Sequence, residues 1–543
     1  MKIFAYPSKR EVAFGVLFLF VALGAIAQDA ARPNIVIIMA DDMGYSDIGC
    51  YGGEIRTPNL DRLAAGGLRF TQFYNNAKCA PTRASLLTGL YSQQVGIDNG
   101  PATMHSSVTI AEVLKTAGYR TFMTGKWHAN QLPVERGFDR YFGLTDGCSN
   151  YFNPGNPRMG EAVPAEKNFP RKWAIDAETI QPFTPKTSDF YSTDAFTDYA
   201  LEYLESSRED SAPFFLYVAY TAPHYPLHAK PEDIAKYRGK YLQGWDAVRR
   251  DRLARMIDMG LIREGLELSP RDPRVPAWEQ LGDESKWNLN ALNGRRNLGI
   301  TSEAATDADL WDLKMAVYAA MVDRMDQNIG RILDKIRDLG VEKNTLILFL
   351  SDNGGCAELQ NITQDVPPGP ANSYRTVDPP WANAQNTPFT KYKRWNYEGG
   401  IATPLIAYWP GRIAAGGITR EVGHIIDLMA TCVDLAGASY PSSFHGETIL
   451  PMEGLSLSPV FGGASWEEPR TLFWQFGPSR AARQGPWKIV RDGHAPWELY
   501  DMKTDRTEQN DLAAKHPAVL DTLSKLWDAW AHRVNAKLRG SIM

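Results

Sequence analysis

From residue 33 onward the chain alternates short apolar runs with amphipathic stretches. Asn34 to Ala40 (Asn-Ile-Val-Ile-Ile-Met-Ala) is mostly apolar and rich in β-branched residues, the pattern of a parallel strand buried on both faces. Thr57-Pro58-Asn59-Leu60 predicts a helix start, with Thr as N-cap and Pro at the first helical position, and Gly66-Gly67 marks its end. Arg69 to Tyr74 reads as a strand, Thr109 to Thr116 as a helix, and Arg120 to Thr124 as a strand that stops at Gly125. Phe214 to Tyr220, Thr345 to Leu350 and Pro404 to Trp409 predict further strands. Leu310 to Leu339 places Val317, Met321, Met325, Ile329, Ile332 and Ile336 on one stripe of a long helix. Strands alternating with helices over this length predict an α/β fold with a large, mostly parallel central sheet flanked by helices.

Two regions break the alternation. Residues 225–310 are charged, rich in Trp and Pro, and lack strand-like runs, so they read as an insertion of short helices and loops. After about residue 440 the segments shorten. Thr471 to Phe476, Trp487 to Arg491 and Glu498 to Tyr500 predict a small antiparallel sheet, closed by a helix over Pro517 to Ala536. The first 27 residues differ from everything after them. Lys2, Lys9 and Arg10 precede an uncharged apolar run, Val12 to Leu23, and Ala25-Ile26-Ala27 is a small-x-small cleavage pattern. That is a secretory signal peptide. The expected organisation is therefore a signal peptide at 1–27, a catalytic domain at 28–440 and a C-terminal subdomain at 441–543. The mature protein is expected in the periplasm or outside the cell, with no membrane-spanning segment after cleavage.

Net charge narrows the partners. At −5 over 543 residues the chain lacks the basic excess of a nucleic-acid binder, so any cations that bind an anion must be local. Five cysteines (Cys50, Cys79, Cys148, Cys356, Cys432) are too few and too odd for a disulfide scaffold. Their pairing is open, and Cys79 is the first candidate to stay unpaired. His224 and His228 stand four apart, but Pro226 between them disfavours the helix that would make them a zinc pair.

The polar clusters fall at strand ends, where open α/β sheets bind ligands. Asp41-Asp42 follows the first strand, Ser351-Asp352-Asn353-Gly354-Gly355 follows the strand at 345–350, Gly125-Lys126-Trp127-His128 follows 120–124, and Ala222-Pro223-His224 follows 214–220. Asp-Asp and Asp-Asn-Gly are also ordinary turn formers, but two such pairs at strand ends supply hard oxygen ligands for Ca²⁺ or Mg²⁺. In Cys79-Ala80-Pro81-Thr82-Arg83 the proline predicts the first position of a helix, which puts Cys79 at its N-terminus, where backbone N–H groups favour anions, with Arg83 one turn on. An inert buried cysteine also fits that stretch taken alone. A metal, Arg83, Lys126, His128 and His224 together could stabilise an oxyanion while a proton is delivered. Lys393 precedes Glu398-Gly399-Gly400, with Lys391 and Arg394 close enough to compete for its role. Residue chemistry thus reaches metal-assisted hydrolysis of an anionic ester, with phosphate and sulfate both open.

From about residue 32 to about 515 the chain resembles the type I sulfatases of the alkaline-phosphatase-like superfamily, most of all bacterial arylsulfatases. Cys79-Ala80-Pro81-Thr82-Arg83 fits the C-x-P-x-R signature and Leu86-Leu87-Thr88-Gly89 its continuation. Asp41-Asp42-Met43-Gly44, Gly125-Lys126-Trp127-His128, Ser351-Asp352-Asn353-Gly354 and Lys393 ahead of Glu398-Gly399-Gly400 also match. The resemblance implies that a separate maturation enzyme oxidises Cys79 to Cα-formylglycine, whose hydrate is the nucleophile. It implies one Ca²⁺ held by Asp41, Asp42, Asp352 and Asn353, with residue 79 also facing the metal. Arg83 and Lys126 would hold the hydrate and sulfate oxygens, His224 and Lys393 serve the leaving alcohol, and His128 take the proton that expels sulfate. The implied substrate is an aryl sulfate or a sulfated carbohydrate. Two alternatives are a phosphodiesterase or phosphonate monoester hydrolase of the same superfamily, and a non-catalytic binder of sulfated glycans. Trp245, Trp278 and Trp287 of the insertion either line the leaving-group pocket or pack the insertion itself.

Overall fold

The α/β pattern is realised as a ten-stranded sheet. A computed structural model describes Met1 and residues 32–167, 170–293, 299–466 and 470–537; apart from Met1, the expected signal peptide lies outside them. The strands are β1 (Asn34–Ala40), β2 (Leu68–Tyr74), β3 (Arg120–Gly125), β4 (Arg140–Leu144), β5 (Trp173–Ile175), β6 (Glu178–Ile180), β7 (Phe214–Ala219), β8 (Thr345–Ser351), β9 (Ala402–Tyr408) and β10 (Gly417–His424). Their spatial order is β10-β2-β9-β8-β1-β7-β3-β4-β5-β6. Pairings are parallel except those of β9 with β2 and β8 and those of β5 with β4 and β6. Strand β9, expected from Pro404 to Trp409, is therefore a reversed strand inside a mostly parallel sheet.

β1 is buried along its whole length between β7 and β8, which is why its sequence carries no alternation. Because the chain passes to β7 on one side of β1 and to β8 on the other, a crevice opens at their carboxyl ends. Backbone bonds continue past the strand ends there: Asp352 N–H donates to Ala40 O (3.1 Å), Asp41 N–H to Ala222 O (3.0 Å) and Lys126 N–H to Ala219 O (2.7 Å).

Helices α1 (Pro58–Gly66), α2 (Cys79–Thr88), α3 (Ile110–Thr116), α4 (Ser192–Ser206), α5 (Trp245–Asp258), α6 (Ala308–Asp338), α7 (Asp378–Gln385) and α8 (Asp427–Ala436) cover the sheet or fill the loops. α3 opens with a capping box, Thr109 Oγ1 accepting from Glu112 N–H and the Glu112 carboxylate accepting from Thr109 N–H. The 31-residue α6 buries Val317, Met321, Met325, Ile329, Ile332 and Ile336 and packs on α1 and α4.

The insertion at 225–310 contains helices and no strand among its described residues. Its tryptophans pack inward: Trp245 meets Trp278, Trp287, Trp311 and Trp381 at ring-centroid distances of 4.7–6.2 Å, all near perpendicular. They serve packing. The C-terminal segments form an antiparallel sheet of β11 (Thr471–Phe476), β12 (Ser479–Gln484), β13 (Trp487–Arg491) and β14 (Glu498–Asp501), with α9 (Pro517–Arg533) against β12 and β13.

Candidate active site

α2 is buried on every side, as only a helix enclosed by a large protein can be. Lys78 is its N-cap (φ −154°, ψ 142°), and Cys79 is its first residue. This corrects the expected register, in which Pro81 opened the helix; Pro81 is the third residue. Proline fits there because N–H groups throughout the first turn lack intrahelical partners. Thr82 N–H makes the first helical bond, to Lys78 O (2.9 Å), and Thr82 Oγ1 accepts from Asn76 N–H (3.0 Å), tying the entering loop to the helix.

Arg83 points from α2 into the crevice. Its Nε and Nη2 donate to Asp352 Oδ2 (3.0 and 2.7 Å) and its Nη1 to Lys126 O (2.9 Å). Lys126 Nζ lies 2.6 Å from Asp41 Oδ2. Lys126 reaches it because Gly125 turns the chain with φ +98°, where a Cβ would stand 1.9 Å from Ala219 O. Lys393 Nζ contacts the Asp42 carboxylate at 2.7 Å and His224 Nε2 at 3.3 Å. His224 Nδ1 is 2.6 Å from Tyr225 O, so Nδ1 carries the proton and Nε2 accepts from Lys393. Lys391 makes no such contact and is half-buried at the surface; Lys393 is the lysine of this site. His128 is buried, with Nδ1 unpartnered among the described residues and φ +69°, a conformation uncommon outside glycine that recurs at functional positions.

Asp41 and Asp352 each present Oδ2 to a cation, whereas both Asp42 oxygens lie against Lys393 Nζ. Asp41 Oδ1 and Asn353 Oδ1 are buried and have no hydrogen-bond partner among the described residues. Asn353 Nδ2 donates to Asp42 Oδ1 (2.7 Å), and Asp352 Oδ1 accepts from Asp42 N–H (3.2 Å). Ser351 locks both turns, its hydroxyl accepting from Met43 N–H and donating to Asn353 O. Ligand atoms of Asp41, Cys79 and Asp352 lie within 4.8 Å of one another, and so do those of Asp41, Asp42 and His224. Two orphaned oxygens, one from a carboxylate whose other oxygen is already held and one from an amide, beside the Asp42 and Asp352 carboxylates, fit a hard divalent cation.

Burial, then repulsion from Asp41, pushes the Asp352 carboxyl up to about 6. Burial likewise raises Asp41, against the pull of Lys126 and Arg83. Burial and then the Lys126 and Arg83 cations hold His128 well below its usual range, so its imidazole is neutral and able to accept a proton. Burial also lowers His224, to about 4, despite Asp42. Burial lowers Lys393, but Asp42 together with Cys356, Cys79 and Glu358 outweighs burial and holds it well above its usual value.

The loop of Lys393 is anchored by C-terminal segments and by Tyr74 at the end of β2. Asn396 Nδ2 donates to Ser479 O (2.8 Å), and Glu398 accepts from Lys488 Nζ (2.9 Å), Arg506 Nη2 (3.0 Å) and Tyr74 OH (2.9 Å). A Cβ at Gly400 would stand 1.9 Å from Trp395 O, so glycine lets the loop fold back on itself. Glu398→Gln leaves buried Lys488 and Arg506 short of one anion and is expected to cost ~3 kcal/mol of stability, read by chemical denaturation; an unchanged midpoint would contradict it.

Every residue expected at the site is brought to this one crevice. His228 stands apart as a core histidine, its Nε2 2.6 Å from Ser373 O. All five cysteines are free and buried, so Cys79 is not singled out by lacking a disulfide. The sequence reading missed the half-buried rim of Lys78, Tyr225, Glu358 and Arg394; adjacency in the chain to Cys79, His224 and Lys393 was a signal for three of them, and Glu358 had none.

Buried cations, carboxylates and a reactive-type residue at a helix start define a hydrolase of anionic esters. The sulfatase family model matches residues 33–438, and a model of the N-sulphoglucosamine sulphohydrolase C-terminal region matches 389–533. The chain is 33% identical to an uncharacterized sulfatase of Schizosaccharomyces pombe, covering 92% of this chain and 93% of that one. It is 32% identical to the arylsulfatase of Klebsiella aerogenes, over 83% of this chain and 97% of that one. Among solved structures it is similar to Ps i-CgsB in complex with k-i-k-neocarrahexaose, with a TM-score of 0.65 and 25% identity over 92% and 93% of the two chains. The chain belongs to the sulfatase family and is a sulfuric ester hydrolase of the alkaline-phosphatase-like fold.

Proposed function

We propose that this enzyme hydrolyses an aryl sulfate or sulfated carbohydrate using residue 79 in its formylglycine form and one Ca²⁺ held by Asp41, Asp42, Asp352, Asn353 and residue 79. The observation that carries the reading is the buried triplet of Asp41, Cys79 and Asp352 under Arg83 and Lys126. Conversion of the Cys79 thiol to a hydrated aldehyde by a maturation enzyme supplies an attacking hydroxyl and a second hydroxyl whose proton can later be removed. Bound Ca²⁺ supplies charge neutralisation for both nucleophile and sulfate oxygens.

The chain's own residues do the rest. Asp352, whose carboxyl is pushed up to about 6, accepts the proton of the attacking hydroxyl. Arg83 and Lys126 hold the equatorial oxygens, as fixed cations in a water-poor chamber. Lys393, held as a cation, delivers a proton toward the leaving oxygen, and neutral His224 orients it through Nε2. His128, neutral with Nδ1 free of protein partners, accepts the proton whose removal expels sulfate. Splitting the reaction through residue 79 divides one difficult displacement into two easier ones.

The sequence of residues 1–27 supports export, with cleavage after Ala27. No helix among the described residues is long and apolar enough to cross a membrane. Intact-mass and peptide-mass measurement of native material tests both processing events. The expected species begins at Gln28 and carries the mass of a CH₂SH-to-CHO conversion at residue 79, and it releases sulfate from an aryl sulfate. Only unmodified cysteine in native material, or faster turnover of the aryl phosphate, would sink the reading.

A further inference from the structure

Three residues of the buried site have chain neighbours that lead out of it: Lys78 precedes Cys79, Tyr225 follows His224, and Arg394 follows Lys393. All three neighbours converge on one carboxylate. Glu358 Oε1 lies 3.3 Å from Lys78 Nζ and 3.6 Å from Arg394 Nη1, and Oε2 accepts from Tyr225 OH at 2.8 Å. The side chains of Lys78, Glu358 and Arg394 are 19%, 19% and 32% exposed, whereas those of Arg83 and Lys126 beneath them are at most 1% exposed. Glu358 therefore stands on the step from the closed chamber to solvent. It stands on the side of His224 and Lys393, where the leaving oxygen emerges; the Tyr225 ring lies 4.2 Å from that of His224.

We propose that Glu358, framed by Tyr225, Lys78 and Arg394, is the leaving-group specificity site and takes a polyhydroxylated leaving group, a sugar, through hydrogen bonds to its hydroxyls. The inference rests on the sulfatase reading of the buried site and adds its outer half. Each Glu358 oxygen keeps lone-pair capacity beyond the bonds it makes. Arg394 reaches the same carboxylate through Nη1. Arg394 is held there in a left-handed conformation (φ +85°) by its N–H bond to Ala77 O (2.7 Å), placement that costs energy and persists because the surroundings fix it. A carboxylate acceptor beside lysine and arginine donors matches vicinal hydroxyls, which accept and donate in turn. An unsubstituted aryl ring offers neither function.

The test compares wild type, Glu358→Gln and Glu358→Ala, each with residue 79 converted, on N-acetylgalactosamine 6-sulfate, N-acetylglucosamine 6-sulfate, glucose 6-sulfate and 4-nitrophenyl sulfate. Wild type is expected to turn over at least one of the sugar sulfates. The ratio of its kcat/KM on that sugar to that on the aryl ester should fall ~100-fold in Glu358→Ala, with a smaller fall in Glu358→Gln, as expected for losing a hydrogen bond to a charged group. The ratio is independent of the fraction of folded protein. Equal losses on both substrate types, or a wild type that cleaves the aryl ester and none of the sugars, would overturn the proposal. A converted wild type that cleaves no sulfate ester at all would bring down the underlying sulfatase reading instead.

Discussion

Cys79→Ala is expected to reduce sulfate-ester hydrolysis by at least ~10⁴-fold in kcat, because the nucleophile is removed while every cation stays in place. Binding should survive the change. Arg83 remains fixed by Asp352 and Lys126 O, and Lys126 remains fixed by Asp41, so at Ca²⁺ concentrations high enough to offset the loss of one ligand, an unreactive sulfate analogue is expected to bind the variant within a few-fold of wild type. Folding should survive as well, since a single sulfur is lost from a helix whose first turn is held by Thr82 and Asn76. Cys79→Ser separates the two halves of the mechanism. In unconverted protein the substituted hydroxyl can attack sulfur, but it has no second hydroxyl for His128 to deprotonate. The expected outcome is one turnover at most, with sulfate retained on the protein and detected by mass. Steady multiple turnover by Cys79→Ala would place the nucleophile elsewhere.

The strands that position this site were legible because burial on both faces leaves an unmistakable apolar run, as in Asn34–Ala40 and Thr345–Ser351. The outer strands were not. β5 and β6 have three residues each, too short for any period. β10 (Gly-Ile-Thr-Arg-Glu-Val-Gly-His) is half-buried and has a register shift between Thr419 and Val422, which erases alternation. The candidate ligand turns stood out because Asp41-Asp42 and Asp352-Asn353 follow those apolar runs directly. Choosing Lys393 over Lys391 needed coordinates, since both belong to one irregular loop whose path is set by Asn396, Glu398 and partners from the C-terminal sheet. The rim around Glu358 was hidden for a related reason. Its four residues come from four separate segments, and only the fold gives them a common carboxylate.

Removing divalent metal is expected to lower the melting temperature and abolish activity, with both restored by Ca²⁺. Charge explains why. Asp41, Asp42 and Asp352 carry three negative charges, and Arg83, Lys126 and Lys393 carry three positive ones in contact with them. The empty pocket is thus near neutral and has little attraction for a sulfate monoester; a dication gives it a net positive charge that does. Asp41 Oδ1 and Asn353 Oδ1 are buried without hydrogen-bond partners among the described residues, so occupancy would remove a desolvation cost as well as adding attraction. Ca²⁺ at about a hundred times its Kd would stabilise the fold by ~2.7 kcal/mol. Asp41→Asn keeps the shape but removes the charge of the orphaned oxygen and leaves Lys126 unpaired. Loss of outer-sphere partners alone lowers metal affinity ~10–100-fold, so loss of a ligand's charge should weaken Ca²⁺ by at least the upper figure, measured by calorimetry on the chelated protein. If Ca²⁺ neither raises the melting temperature nor binds more weakly to Asp41→Asn, the four oxygen ligands are not a metal site.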